Sequence, residues 1–138
     1  MSSYVTFTVD DGLYGVDVQR VQEALRAHSR TRVPLAPEGV AGLVNLRGQV
    51  VLTVDLRPRL GLPPVGEDAQ QMMVVVQVGG ETVSLLVDEI GDVVDVEPDR
   101  VEAPPDTLDP AIRPLIRAAC TLDERLLLVL DVDEAAAA

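Results

Sequence analysis

Short runs of valine and leucine, most of them bounded by glycine, proline or an acidic residue, recur along the whole chain. They lie at residues 5–10, 50–55, 72–78, 82–87, 93–96 and 126–132. β-Branched runs of this length between turn residues are typical of strands. Because 47% of the residues are hydrophobic but only 2% are aromatic, the core must be built from Val, Leu, Ile and Ala. We therefore predict an all-β fold, in a single domain over residues 1–138.

Turn and linker signals separate the strands. The segments 10–12 (Asp-Asp-Gly) and 79–80 (Gly-Gly) predict tight hairpins in which glycine adopts positive φ. The paired prolines in 62–68 and 103–106 predict linkers that divide the β structure into two lobes. The terminal alanines, 135–138, have no core-forming face, and a disordered tail is expected there.

Helical periodicity is clear once. Val18, Val21 and Leu25 are spaced to share one helix face, and Asp17 can cap it, which predicts a short helix over 18–26. Two briefer helical turns are expected, one between Asp55 and Gly61 and one over 110–117.

Charge and composition exclude several classes of function. The formal net charge of −12 argues against nucleic-acid binding and against anionic lipid surfaces. Cys120 is the single cysteine, which excludes an intrachain disulfide and a cysteine-based zinc cluster and agrees with a reduced, cytoplasmic setting. The apolar runs of the chain are far shorter than the about 20 residues that are needed to cross a bilayer. The N-terminus has no secretory signal pattern. Membrane insertion is not expected.

The sequence contains few residues that could form a catalytic motif. The only histidine, His28, lies in a polar stretch, and no phosphate-binding glycine loop can be found. Five aspartates follow apolar runs and could, if gathered, hold a metal or transfer protons: Asp10, Asp17, Asp55, Asp88 and Asp131. Local capping of turns and helix starts explains them better. We predict no enzyme activity, no metal and no cofactor.

The segment 42–50 stands out because it places Asn45, Arg47 and Gly48 between two apolar runs. Arg47 could cap a strand end or pair with a carboxylate within the chain. Its planar donor fork suits docking to a partner's carboxylates or carbonyls equally well. The residues alone do not decide between these two roles.

The block 45–48 (Asn-Leu-Arg-Gly), followed by 54–57 (Val-Asp-Leu-Arg), resembles the signature of CheW-like domains. The similarity continues, in family order, at residues 7–9, 14–18, 21–23, 86–90 and 126–131. Two positions depart from the family pattern. The pair Leu52-Thr53 stands where the family often has proline followed by an aliphatic residue, and Ser84 stands where glycine is common.

This resemblance implies two SH3-like five-stranded β-barrel subdomains packed together, with short helices. It implies an adaptor without an active site, which bridges the cytoplasmic tip of a methyl-accepting chemoreceptor and the regulatory domain of a CheA-type histidine kinase. Other CheW-like subunits are possible partners in array rings. The expected location is the cytoplasm, with recruitment to membrane-bound receptor arrays.

The same resemblance assigns site residues. The receptor helix would dock in a groove between the barrels lined by Val18, Val21 and Val44, although two of these valines could equally be core. The receptor-binding residues carried over are Val21 and Glu23 on the first helix, with Asn45, Arg47 and Gly48 in the signature loop. Leu60 is the kinase-binding candidate, as an exposed apolar residue.

Three alternatives stay open. The chain could be the CheW-like scaffold of a non-flagellar chemosensory pathway, controlling surface motility or second-messenger output. It could be a regulatory domain excised from a larger kinase, or half of an adaptor fused to a receiver domain, although its length argues for a complete adaptor. An acidic β-barrel enzyme would require convergent carboxylates in one pocket.

Overall fold

The computed structural model describes residues 1–27, 39–66, 69–123 and 125–136, and within them the chain is mostly β structure. One sheet contains β1 (Ser2–Val9), β2 (Gly12–Asp17), β8 (Glu89–Val96), β9 (Val101–Glu102), β10 (Ile116–Leu122) and β11 (Arg125–Leu130). The other contains β3 (Val21–Arg26), β4 (Val40–Leu46), β5 (Gln49–Asp55), β6 (Met72–Val78) and β7 (Glu81–Val87). Among these residues, no helix is long and apolar enough to cross a membrane.

The strand orders are β8-β1-β2-β11-β10-β9 in the six-stranded sheet and β3-β6-β7-β5-β4 in the five-stranded sheet. Most neighbours are antiparallel; β2 with β11 and β5 with β7 are parallel. The all-β prediction is confirmed. The sixth strand, β9, is a two-residue addition at the edge of its sheet.

Hydrophobic packing joins the two sheets. The largest buried cluster takes Phe7 and Val16 from the six-stranded sheet and Val74 and Leu85 from the five-stranded sheet. Each sheet also has a smaller cluster of its own. Tyr4, Leu127 and Val129 belong to one of them; Val44, Met73 and Leu86 form the other, which we call the inner cluster. The two sheets therefore share one hydrophobic core. Each sheet also curls around a smaller core formed by its own residues.

The Gly79-Gly80 hairpin forms as predicted, with φ of 56° and 82°. In the first hairpin, however, the positive φ (57°) falls on Asp10 and not on Gly12. Val9 pairs directly with Gly12, so Gly12 belongs to β2 and Asp10 opens the two-residue loop. Aspartate tolerates this conformation because its short side chain can bond locally.

The predicted helix over 18–26 is wrong. Residues Val18–Arg20 form one 3-10 turn, and β3 follows immediately. Asp17 does cap the turn, accepting a hydrogen bond from the Gln19 amide at 2.9 Å. A nine-residue helix is marginal on its own, whereas a strand here gains a full antiparallel ladder with β6.

The helical turn after Asp55 is confirmed as α1 (Leu56–Arg59), with Asp55 as its N-cap and Gly61 at φ 71° beyond its end. Around 110–117 the structure keeps only a 3-10 turn, Arg113–Leu115, because β10 already begins at Ile116.

The disordered tail expected at the terminal alanines is wrong for residues 135 and 136. A last helix, α2 (Val132–Ala136), carries Ala135 and Ala136 into the shared core, where they are 0% and 8% exposed. A small side chain can pack closely without offering a recognisable apolar face. Residues 137–138 lie outside the described part.

The proline-rich segments do not divide the two lobes. Residues 62–66 connect α1 with β6, inside the five-stranded sheet, and 103–105 connect β9 with β10, inside the six-stranded sheet. The chain instead passes between the sheets near Val18–Arg20 and between Val87 and Glu89.

Candidate docking site

The signature hairpin joins β4 to β5 through a loop of only two residues, Arg47 and Gly48, since Leu46 pairs with Gln49. Both loop residues have positive φ, 54° and 84°, which is the backbone signature of a type I′ turn. Asn45 supports the loop, because its side-chain oxygen accepts a hydrogen bond from the Gly48 amide at 2.9 Å. The turn holds Arg47 at the tip of the hairpin.

Arg47 forms a two-pronged ion pair with Glu23. Its Nη2 donates to Oε1 of Glu23 at 2.8 Å, and its Nη1 donates to Oε2. The arginine side chain is 78% exposed and that of the glutamate 27%. The hydrogen bond and the charge of Glu23 raise the pKa of Arg47 above its ordinary value, so the guanidinium keeps its charge.

The ion pair spans two strand edges that do not pair with each other. Glu23 belongs to β3 and Arg47 follows β4, and these strands lie at opposite ends of the five-stranded sheet. Leu25 from β3 and Leu46 from β4 both pack against the inner cluster. The sheet therefore curls until its two edges meet; we call this meeting line of β3 and β4 the seam.

Two shallow cavities flank the ion pair. One, of about 200 Å³, is lined by Leu25, Asn45 and Leu46 together with both charged partners. The other, of about 130 Å³, continues past Arg47 toward Val51 and Thr82. An apolar floor with paired charges at its rim suits the docking of another polypeptide.

The groove predicted from Val18, Val21 and Val44 does not form. Val44 is 1% exposed and belongs to the inner cluster, so it is core. Val21 packs against the shared core. A bulge at Gln22 separates Val21, which pairs with Val76, from Glu23, which pairs with Val75. Because Val75 and Val76 point to opposite faces, only Glu23 reaches the seam.

Leu60 is not exposed, contrary to the premise of its assignment. Only 3% of it is accessible, and it lies in the shared core. Its amide bonds to the Leu56 carbonyl at 2.9 Å, which continues the turn of α1 and directs both leucines inward. Leu60 therefore cannot serve as a surface anchor for a kinase.

Comparison with known proteins decides the family. The CheW-like domain family matches residues 3–138 of the chain. The chain belongs to the CheW-like family. The crystal structure of the scaffolding protein TtCheW from Thermoanaerobacter tengcongensis superimposes with a TM-score of 0.87 at 26% identity, covering 97% of this chain and 91% of that one. This similarity confirms the SH3-like all-β architecture that the resemblance implied.

Individual relatives agree across almost the whole length. The chemotaxis protein CheW of Rhizobium meliloti is 30% identical over 129 residues, which is 94% of this chain and 83% of the relative. The probable chemotaxis protein CheW of Rhizobium etli is 28% identical over the same coverage. The chemotaxis protein CheW of Klebsiella aerogenes is 27% identical, over 95% of this chain and 79% of the relative.

The second arginine of the CheW-like signature, Arg57, has a buried role that sequence reasoning missed. Only 6% of it is exposed. Its Nε and Nη2 donate to the two carboxylate oxygens of Asp88 at 3.2 and 2.6 Å, and its Nη1 donates to the Pro63 carbonyl at 2.8 Å. The Asp88 carboxylate also accepts the Asp10 amide at 2.7 Å. We call these four residues the Arg57 clamp.

The Arg57 clamp ties the two sheets together. Arg57 belongs to α1 beside the five-stranded sheet, whereas Asp10 is in the β1–β2 turn of the other sheet. The hydrogen bond with Asp88, more than any other contact, raises the pKa of Arg57 and keeps it charged despite burial. The sequence did hold a signal, since Arg57 and Asp88 each follow the end of a strongly apolar strand.

The other three candidate aspartates act locally in this CheW-like domain, as predicted. Asp17, Asp55 and Asp131 each accept a backbone amide at the start of a turn or helix. Within the described ranges, no three or more acidic, cysteine or histidine residues converge in a geometry that could hold a metal. Cys120 is buried, and burial raises the pKa of its thiol. His28 lies outside the described residues.

Proposed function

We propose that this protein is a non-enzymatic adaptor that couples the cytoplasmic tip of a methyl-accepting chemoreceptor to the regulatory domain of a CheA-type histidine kinase. Its family membership supports a chemotaxis role, because the relatives are named chemotaxis proteins and the structural neighbour a scaffolding protein. The observation that carries the proposal is the exposed Arg47–Glu23 pair above the seam.

The site has the physical character of a recognition surface. A receptor tip presents helices, and a helix can lay an apolar stripe over Leu25 and Leu46 while its charged residues meet Arg47 or Glu23. Charges at such a rim set orientation and partner choice more than affinity. Asn45 and Gly48 contribute by fixing the loop that aims Arg47.

Val21 has a different part in this proposal. It packs against the shared core directly beside the bulge that turns Glu23 toward the seam. Its contribution to receptor binding is therefore positioning, through the backbone of β3. The kinase would contact another part of the surface, and other CheW-like subunits would join the same array. Many modest contacts then hold a lattice together through multivalency.

The test is co-sedimentation with receptor-bearing membranes and the CheA-type kinase of the same organism, comparing wild type with Arg47→Glu. Because reversing a rim charge turns attraction into repulsion, we expect binding to weaken by about tenfold or more and receptor-dependent kinase activation to fall with it. The fold should survive, since the Arg47 side chain is 78% exposed.

Two controls separate recognition from damage to the seam. Arg113→Glu reverses a charge of similar kind, in an exposed pair with Asp106 at 3.1 Å, and should leave recruitment unchanged. The exchange Glu23→Arg with Arg47→Glu restores an ion pair across the seam but inverts what a partner meets, so it should remain defective. Failure of the wild type to sediment with both partners would refute the adaptor role; normal recruitment of folded Arg47→Glu would refute the role of Arg47.

A further inference from the structure

Two buried hydroxyl groups lie side by side in the five-stranded sheet. Thr53 on β5 is the register partner of Ser84 on β7, and both residues are 0% exposed. Neither hydroxyl oxygen has a hydrogen-bond partner among the residues that the structure describes. Because a buried hydroxyl without a partner loses its bonds to water and gains none, this pair requires an explanation.

The side chains around the two hydroxyls are mostly apolar. Ser84 is flanked on its other side by Val75, its register partner on β6. Leu86, two residues after Ser84 and therefore on the same face, belongs to the inner cluster with Val44. Thr53 and Ser84 thus lie beside the inner cluster, in which the thioether sulfur of Met73 is a weak acceptor and the other side chains are purely apolar.

The backbone beside Thr53 does offer polar groups. Val40 pairs with Val54 and Gly42 pairs with Thr53, which leaves Ala41 as the extra residue of a bulge. A bulge interrupts the ladder and leaves the extra residue outside it. Gly42 is buried and has no side chain, so the row from Ser84 through Thr53 to Gly42 contains only small groups.

The smaller seam cavity lies on the same face of the sheet as this row. Val51, Val75 and Thr82 line the smaller seam cavity of about 130 Å³. Val51 and Thr82 precede Thr53 and Ser84 by two residues on the same strands, so they share their face. The cavity beside Arg47 is therefore lined by the same face of β5 and β7 that carries the two hydroxyls.

We propose that Thr53 and Ser84 bind an ordered water molecule inside the curled five-stranded sheet, with the bulged backbone at Ala41 as a further partner. A single water can satisfy several buried polar groups at once, and such waters are integral to a fold.

Crystallography at about 1.5 Å resolution or better is the direct test, since ordered water oxygens are then resolved. The expected result is a water peak within about 2.6 to 3.2 Å of both hydroxyl oxygens. A direct hydrogen bond between Thr53 and Ser84, or a row without an ordered water, would overturn the proposal.

Unfolding equilibria of Thr53→Val give a second readout, whose sign separates a hydrogen-bonded hydroxyl from an unsatisfied one. If a water bridges the hydroxyls, the isosteric change removes one of its partners and raises the unfolding equilibrium constant by about tenfold. If the site is dry, the same change removes an unsatisfied polar group and lowers that constant. Thr6→Val is the matched control, because the buried Thr6 hydroxyl donates to the Asp92 carbonyl at 2.6 Å and its loss destabilises in either case.

Discussion

Replacing Arg57 by methionine tests whether the Arg57 clamp holds the two sheets together. Methionine keeps most of the length and apolar volume of the side chain but removes the guanidinium. The change deletes both bonds to Asp88 and the bond to the Pro63 carbonyl. It also leaves the Asp88 carboxylate, whose side chain is only 21% exposed, without its cationic partner.

The expected loss is large because a charge is left behind. Removing one partner of a buried ion pair costs about 3–5 kcal/mol, against about 0–1 kcal/mol for an exposed pair. Asp88 is not fully buried, which places the expectation near the lower figure. For a chain of 138 residues, about 3 kcal/mol corresponds to a fall in melting temperature of roughly 10 °C. Arg57→Lys should recover little, since lysine cannot form the two-pronged contact.

Urea unfolding followed by circular dichroism is the suitable assay, because the chain has no tryptophan to report by fluorescence. Arg113→Met is the matched control: it breaks the pair with Asp106, in which the side chains are 48% and 96% exposed. If Arg57→Met and Arg113→Met lower the free energy of unfolding by the same small amount, the Arg57 clamp does not stabilise the packing of the sheets.

Two further outcomes follow from burial. Leu60→Ala should destabilise the protein by about 2–5 kcal/mol, because Leu60 lies in the shared core. Leu126→Ala, at a side chain 46% exposed, should cost far less, and equal losses in urea unfolding would contradict this placement. Burial raises the pKa of the Cys120 thiol in the folded state. The contribution of the neutral thiol to the free energy of unfolding is therefore complete below the ordinary thiol pKa, and it is lost as the pH rises from there through the raised pKa. A disulfide reagent at pH 8 should therefore modify Cys120 only after unfolding, and immediate modification of the folded protein would exclude a protected thiol.

The positions of six strands and the Gly79-Gly80 hairpin could be predicted because their signals are local. Valine-rich runs between turn residues are typical of strands, and Gly79-Gly80 readily adopts the positive φ that a tight hairpin requires. The sequence also singled out Asn45, Arg47 and Gly48, which the structure brings together in one loop. Whether these residues bind a receptor stays a prediction.

Two of the errors have a common origin in pairing over distance. Val18, Val21 and Leu25 have helical spacing, but the ladder with β6 outweighs that local preference. The bulge that turns Val21 and Glu23 to opposite faces leaves no mark in the residues themselves. Leu60, which was expected to be exposed beside Gly61, is directed into the core by a local feature, the turn of α1.

The two arginines of the signature illustrate how one sequence block can serve two physical ends. Arg57 is enclosed, bonded through three of its nitrogens, and tied to the β1–β2 turn of the other sheet through Asp88. Arg47 lies at the other end of β5, and its side chain is open to solvent and pairs with the carboxylate of Glu23. Because β5 connects them rigidly, the buried clamp fixes the sheet on which the exposed arginine is displayed. A docking surface gains precision from such a support, since the position of Arg47 depends on paired backbone and not on a flexible loop.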